Sequence, residues 1–167
     1  MSSQRFLLKG GQILGGKAAD LLIADGQIAQ ISASISDKDA TVIELKGSIV
    51  LPGLVDLHTH LREPGREDSE TVASASRAGA KGGFTALSAM ANTSPVADTA
   101  GVVEQVYRLG QEAGFVDVFP IGAVTQGLHG EQLSEIGAMA DSVARVRVFS
   151  DDGNCVFDPL VMRRALE

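Results

Sequence analysis

A chain of 167 residues, 44% of them hydrophobic, is long enough to bury one core. Its formal net charge of −7 argues against a nucleic-acid partner, and no apolar run approaches the length of a membrane span. Met1-Ser2-Ser3-Gln4-Arg5 lacks the charged-then-apolar layout of a signal peptide, and the single cysteine, Cys155, allows no internal disulfide, so a cytoplasmic protein is expected.

Residues 6–9 form the first expected strand, before Gly10-Gly11. Two apolar runs, 20–23 and 27–31, flank Asp25-Gly26, and Asp-Gly between apolar runs is a strong hairpin signal. Residues 41–45 make another strand, with a turn at Gly47. From Pro52 the period changes, and strand and helix alternate as in βαβ units around a parallel sheet. Strands are expected over 54–58, 84–90, 116–121 and 144–150. A helix is expected over 69–80, with Ser69 as N-cap and Lys81-Gly82-Gly83 as its stop. A second covers 99–111, with Val102, Val103, Val106 and Leu109 at helical spacing. A shorter one lies near 132–140, and another over 159–166. This amounts to half of a (β/α)8 barrel, which takes about 250 residues. The chain therefore reads as the N-terminal part of a longer protein, or as a truncated reading frame.

The richest stretch is Asp56-Leu57-His58-Thr59-His60, at the end of the first parallel strand. Side chains at i and i+2 share one face of a strand, so His58 and His60 should project together with Asp56 beneath them. The preceding run, 48–55, is apolar on both faces, as a buried parallel strand should be. Chemistry in α/β sheets sits at the carboxyl ends of strands, and two imidazoles there suit a transition metal. A His-x-His pair on a surface strand with no ligand role is the plain alternative. On the expected fourth strand, Arg145 and Arg147 cannot fill a core, so Val146, Val148 and Ser150 should face inward. That parity selects Asp152 over Asp151 as the inward carboxylate. An acidic turn at Asp151-Asp152-Gly153 is the competing reading, and the His pair tips the balance to a ligand. Ser88, Met90 and Asn92 share a face by the same rule. Arg62 could hold a carboxylate by two parallel hydrogen bonds, or pair as a solvated cation with Glu63 or Glu67. Asn92 can donate and accept, or serve the turn before Thr93 and Pro95. His129, in Gln126-Gly127-Leu128-His129-Gly130, reads as an exposed loop residue without a role.

Pro52-Gly53-Leu54-Val55-Asp56-Leu57-His58-Thr59-His60 resembles the first barrel strand of the amidohydrolase superfamily. His60-Leu61-Arg62-Glu63-Pro64-Gly65, Met90-Ala91-Asn92-Thr93-Ser94-Pro95 and Phe149-Ser150-Asp151-Asp152-Gly153 narrow the resemblance to the bacterial type I dihydroorotases. The pattern departs at Ala91, where that family commonly carries proline. The resemblance implies an α/β chain: strands of a small β-sandwich module over residues 1–51, then the first half of a metal-dependent hydrolase TIM barrel over 52–167. It implies one or two Zn²⁺ ions held by His58, His60 and Asp152, and a substrate-binding set of His60, Arg62 and Asn92. The activity implied is reversible hydrolysis and cyclisation between dihydroorotate and N-carbamoyl-L-aspartate in pyrimidine (UMP) biosynthesis. In many relatives of the superfamily a carboxylated lysine joins the metal centre. This chain has no lysine after Lys81, which separates it from hydantoinase-like and allantoinase-like members, the alternative enzymes. A non-catalytic, dihydroorotase-like partner of aspartate transcarbamoylase is the alternative outside catalysis. A homo-oligomer or a transcarbamoylase complex would be the assembly. The family's general acid–base aspartate, and the further histidines that complete its metal sites, are expected beyond Glu167, so residues 1–167 alone are expected to be inactive.

Overall fold

The computed structural model describes residues 4–167. The chain divides into two compact units, Met1–Pro52 and Gly53–Glu167.

The first unit is one five-stranded sheet. β1 (Arg5–Ile13) pairs antiparallel with β2 (Ala18–Ala24), which pairs antiparallel with β3 (Gln27–Ser32). β4 (Thr41–Glu44) and β5 (Ile49–Val50) both run parallel to β1. Asp25 and Gly26 have φ of 51° and 74°, the two positive values that a type I′ hairpin turn requires. Leu7, Leu22 and Ile35 form the buried cluster. The Asp20 carboxylate accepts from the amides of Gly10 and Ile35, both at 2.9 Å. Those two bonds favour the ionised form and hold Asp20 below the usual carboxylate range. The Arg5 guanidinium does the same for Asp37. Among the described residues there is one layer rather than a closed sandwich. β3 and β4 keep Ile28, Ile31, Val42 and Ile43 exposed.

The second unit carries the predicted alternation. β6 (Leu54–Thr59), β7 (Phe84–Ala89) and β8 (Asp117–Pro120) form a parallel sheet in that order. α1 (Val72–Lys81) and α2 (Ala100–Ala113) connect them. Both helices pack on one face, where Val72, Leu87, Val106 and Val118 are buried. Val103 and Met139 anchor a neighbouring cluster. α3 (Ile136–Asp141) and α4 (Pro159–Leu166) come next, the latter capped by Asp158 with proline at its start.

Four expectations are corrected. The N-cap of α1 is Thr71, not Ser69. Thr71 and Ser74 satisfy each other's backbone amides at 3.1 Å, whereas the Ser69 amide already donates to the Arg66 carbonyl. The helix expected over 132–140 starts only at Ile136, because the segment before it is bonded elsewhere. Ser134 and Glu135 donate to the carbonyls of Val124 and Asp98, and Leu133 bridges Thr125. The strand expected over 144–150 is no ladder: one parallel bridge joins Gly122 and Phe149. Arg145, at φ 47°, interrupts the extension, and Val146 donates to the Met139 carbonyl instead. Finally, β6 is not buried on both faces. It pairs with β7 alone among the described residues, and Leu57 is 74% exposed. Val55, Leu57, Phe119 and Val148 line a cavity of about 470 Å³ that Tyr107 of α2 also borders.

Candidate metal centre

The end of β6 departs from simple alternation. Asp56 faces Leu87 of β7 and Thr59 faces Ala89, so three steps on β6 match two on β7. This bulge inserts one residue and re-aims the side chains beyond it. Asp56 is not among the side chains that converge with His58 and His60, although it shares a pocket wall with His60. Its carboxylate accepts from the His58 amide at 3.0 Å, and it lines a wall with Ala75, Ala78 and Gly79 of α1. Beyond the bulge, the Thr59 hydroxyl donates to the Ser88 carbonyl and the Met90 amide donates to the Thr59 carbonyl. These two bonds pin the histidine pair to β7.

Three side chains converge there. His58 Nε2 lies 3.2 Å from Asp152 Oδ1, and His60 Nε2 lies 3.5 Å from Asp152 Oδ2. The ligand atoms of His58, His60 and Asp152 all fall within 4.8 Å of one another, a group that could hold a metal ion. The separations decide how the group is read. Charge-assisted hydrogen bonds run to about 2.7–2.9 Å. Two donors on a tetrahedral zinc, with bonds of about 2.1 Å, would stand about 3.4 Å apart. The observed spacings, each to a different oxygen of Asp152, are longer than a charge-assisted hydrogen bond and near the donor spacing around one ion. The His58 side chain is 56% exposed and that of Asp152 19%, so the group opens to solvent on the His58 side. A carboxylate and two imidazoles are borderline donors that fit Zn²⁺.

Asn92 sits between two members of the group. Its Nδ2 donates to Asp152 Oδ2 at 3.1 Å, and its Oδ1 meets His60 Nδ1 at 3.0 Å. An ionised carboxylate only accepts, which orients the amide nitrogen toward Asp152. The amide oxygen then faces His60, so Nδ1 must carry the ring proton. In the neutral ring this makes Nε2 the nitrogen that can bind a metal.

Arg62 is exposed, at φ 61°, and among the described residues it makes no side-chain hydrogen bond or ion pair. The ion pairs considered for it do not form, because Glu63 accepts from the Val72 amide and Glu67 from the Gly65 amide, both at 2.8 Å. Its loop is nevertheless tied to that of Asn92. The Ser94 amide donates to the Pro64 carbonyl, and a Cβ on Gly65 (φ 103°) would come within 2.2 Å of the Ser94 carbonyl oxygen. Ala91, where proline was expected, is fully buried, and its carbonyl accepts from Thr93 and Ala97. His129 is exposed.

Sequence reasoning passed over Asp151. It is buried and accepts from the amides of Val124 at 2.8 Å and Thr125 at 3.0 Å, and from the Thr125 hydroxyl. Its partners lie 26 and 27 residues away, and no local pattern announces such a pairing.

A parallel sheet with helices on one face, and a His-x-His-plus-carboxylate group at its strand ends, defines the class: an α/β chain of the amidohydrolase type of metal-dependent hydrolase fold. A family model described as Dihydro-orotase-like matches residues 47–165, and the chain belongs to that family. The dihydroorotase of Leifsonia xyli subsp. xyli (strain CTCB07) is 63% identical over 167 residues, which are 100% of this chain and 38% of that protein. The dihydroorotase of Streptomyces coelicolor (strain ATCC BAA-471 / A3(2) / M145) is 61% identical, over 96% of this chain and 38% of that protein. Among solved structures, the L-hydantoinase (dihydropyrimidinase) of Arthrobacter aurescens superposes with a TM-score of 0.60 at 27% identity, covering 74% of this chain and 29% of that one. The chain thus spans 38% of the length of these two curated relatives.

Proposed function

We propose that this chain carries part of the active site of a zinc dihydroorotase, which interconverts dihydroorotate and N-carbamoyl-L-aspartate in pyrimidine biosynthesis. The observation that supports it most is the convergence of His58, His60 and Asp152 at coordination spacing. The relatives named dihydroorotase, at 61–63% identity, supply the reaction. In this reading residues 1–51 are part of a β-sandwich module, 52–167 are the first half of the barrel, and the protein works in the cytoplasm.

His58 and His60 would hold the ion through Nε2, and Asp152 through its carboxylate, which has a second oxygen available for a second ion. When bound, zinc lowers the pKa of water to near neutrality and polarises a carbonyl. Asn92 keeps the His60 ring in the tautomer that leaves Nε2 free. His60, Arg62 and Asn92 form the proposed substrate-binding set. Arg62 has its planar fork uncommitted, which suits a substrate carboxylate. The amide of Asn92 would have to exchange a present partner to join it.

The test is metal content and cobalt absorption of the full chain. About one to two equivalents are expected for the wild type, falling at least tenfold in affinity in His58→Ala. Equal binding in both would overturn the assignment. The hydantoinase-like alternative draws on structural likeness at 27% identity, but the segment after β8 has no lysine to carboxylate.

A further inference from the structure

We infer that Asp151 is a positioning residue that aims Asp152 at the metal centre, an inference that rests on the metal-binding reading above. After β8 the backbone makes one rung with the segment around Phe149: Gly122 donates to Val148, and Ser150 donates to Gly122. The next rung is missing from the backbone and is supplied by a side chain. The Asp151 carboxylate takes the amide of Val124, the donor that a continued ladder would have used, and that of Thr125 beside it. The Thr125 hydroxyl completes the clamp, donating to Asp151 and accepting from the Gly130 amide at 2.9 Å. Both residues are buried, and the Asp151 carbonyl closes a turn by accepting from the Asn154 amide.

With Asp151 locked onto the 124–125 segment, the turn from Asp151 to Asn154 starts from a fixed point, and Asp152, its second residue, places its carboxylate at His58 and His60. Asp152 has little anchorage of its own among the described residues: its amide donates to the Ser150 hydroxyl at 3.2 Å, and its carboxylate meets Asn92 and the two imidazoles. The paired aspartates therefore divide the work. The first fixes the backbone, and the second presents oxygen atoms.

The test measures cobalt affinity of the full chain by calorimetry and visible absorption, below the unfolding temperature of every variant. Asp151→Ala is expected to lose about 10–100-fold in affinity, as partners that orient metal ligands commonly do. Thr125→Val should weaken binding in the same direction, and Thr125→Ser, which keeps the hydroxyl, should restore it. Val118→Ala, a truncation in the buried helix–sheet layer, should leave affinity unchanged while lowering stability. If Asp151→Ala does not fold, the Thr125 pair decides. Thr125→Val or a folded Asp151→Ala with wild-type affinity overturns the inference, as does an equal loss in Val118→Ala. A wild-type chain that takes up no cobalt overturns the metal reading along with it.

Discussion

Asn92 has two ends and two different partners, and that is why its substitution should be informative. Removing the amide in Asn92→Ala leaves His60 free to choose either tautomer and releases Asp152 Oδ2. Metal affinity, measured by competition with a chelating dye, is expected to fall about 10–100-fold. Unchanged affinity would assign Asn92 to substrate alone. His58, His60 and Asp152 were legible as a set from spacing and parity. A bulge between Asp56 and Thr59 interrupts the alternation that would have added Asp56. The choice of Asp152 over Asp151 agrees with the geometry, but the alternation invoked for it runs through an interrupted segment.

At the scale of elements, local signals served where local forces dominate. The hairpin at Asp25-Gly26, the strands β7 and β8, and the helices α2 and α4 lie where periodicity and turn chemistry put them. α1 shows the limit. Ser69 and Thr71 are both acceptable caps, and the contest is settled by Ser74, which completes a reciprocal pair with Thr71. Thr71→Ala should cost about 1 kcal/mol, and Ser69→Ala less than about 0.5 kcal/mol. Urea unfolding of the two variants checks this, and reversed magnitudes would contradict the cap. The helix expected over 132–140 starts a turn late, and the strand expected over 144–150 forms no ladder, for a common reason. Their backbone groups bond to distant segments, and a short-range pattern cannot register that competition.

For the whole molecule, the decisive feature is the open face of the parallel sheet. Leu57 and Phe119 are 74% and 52% exposed and share a cavity with Val55 and Val148. A contiguous apolar face of this kind favours association. Sedimentation of the 167-residue chain is expected to show concentration-dependent oligomers, reduced in the Leu57→Lys/Phe119→Lys double variant. A strictly monomeric wild type would contradict this. The same face is what the interior wall of a barrel looks like when only its first strands are considered, in keeping with a chain that spans 38% of its relatives' length.

The order of amino acids by itself determined the α/β alternation, the family and the residue types that can chelate, because periodicity, turn chemistry and motif spacing are short-range. Only the tertiary structure decided that a bulge interrupts the alternation after Asp56, that Asn92 joins His60 to Asp152, and that Asp151 is a buried clamp. Each of these depends on atoms brought together across 26 to 60 residues of chain, or on strand register, and register is set by the packed sheet rather than by the strand alone.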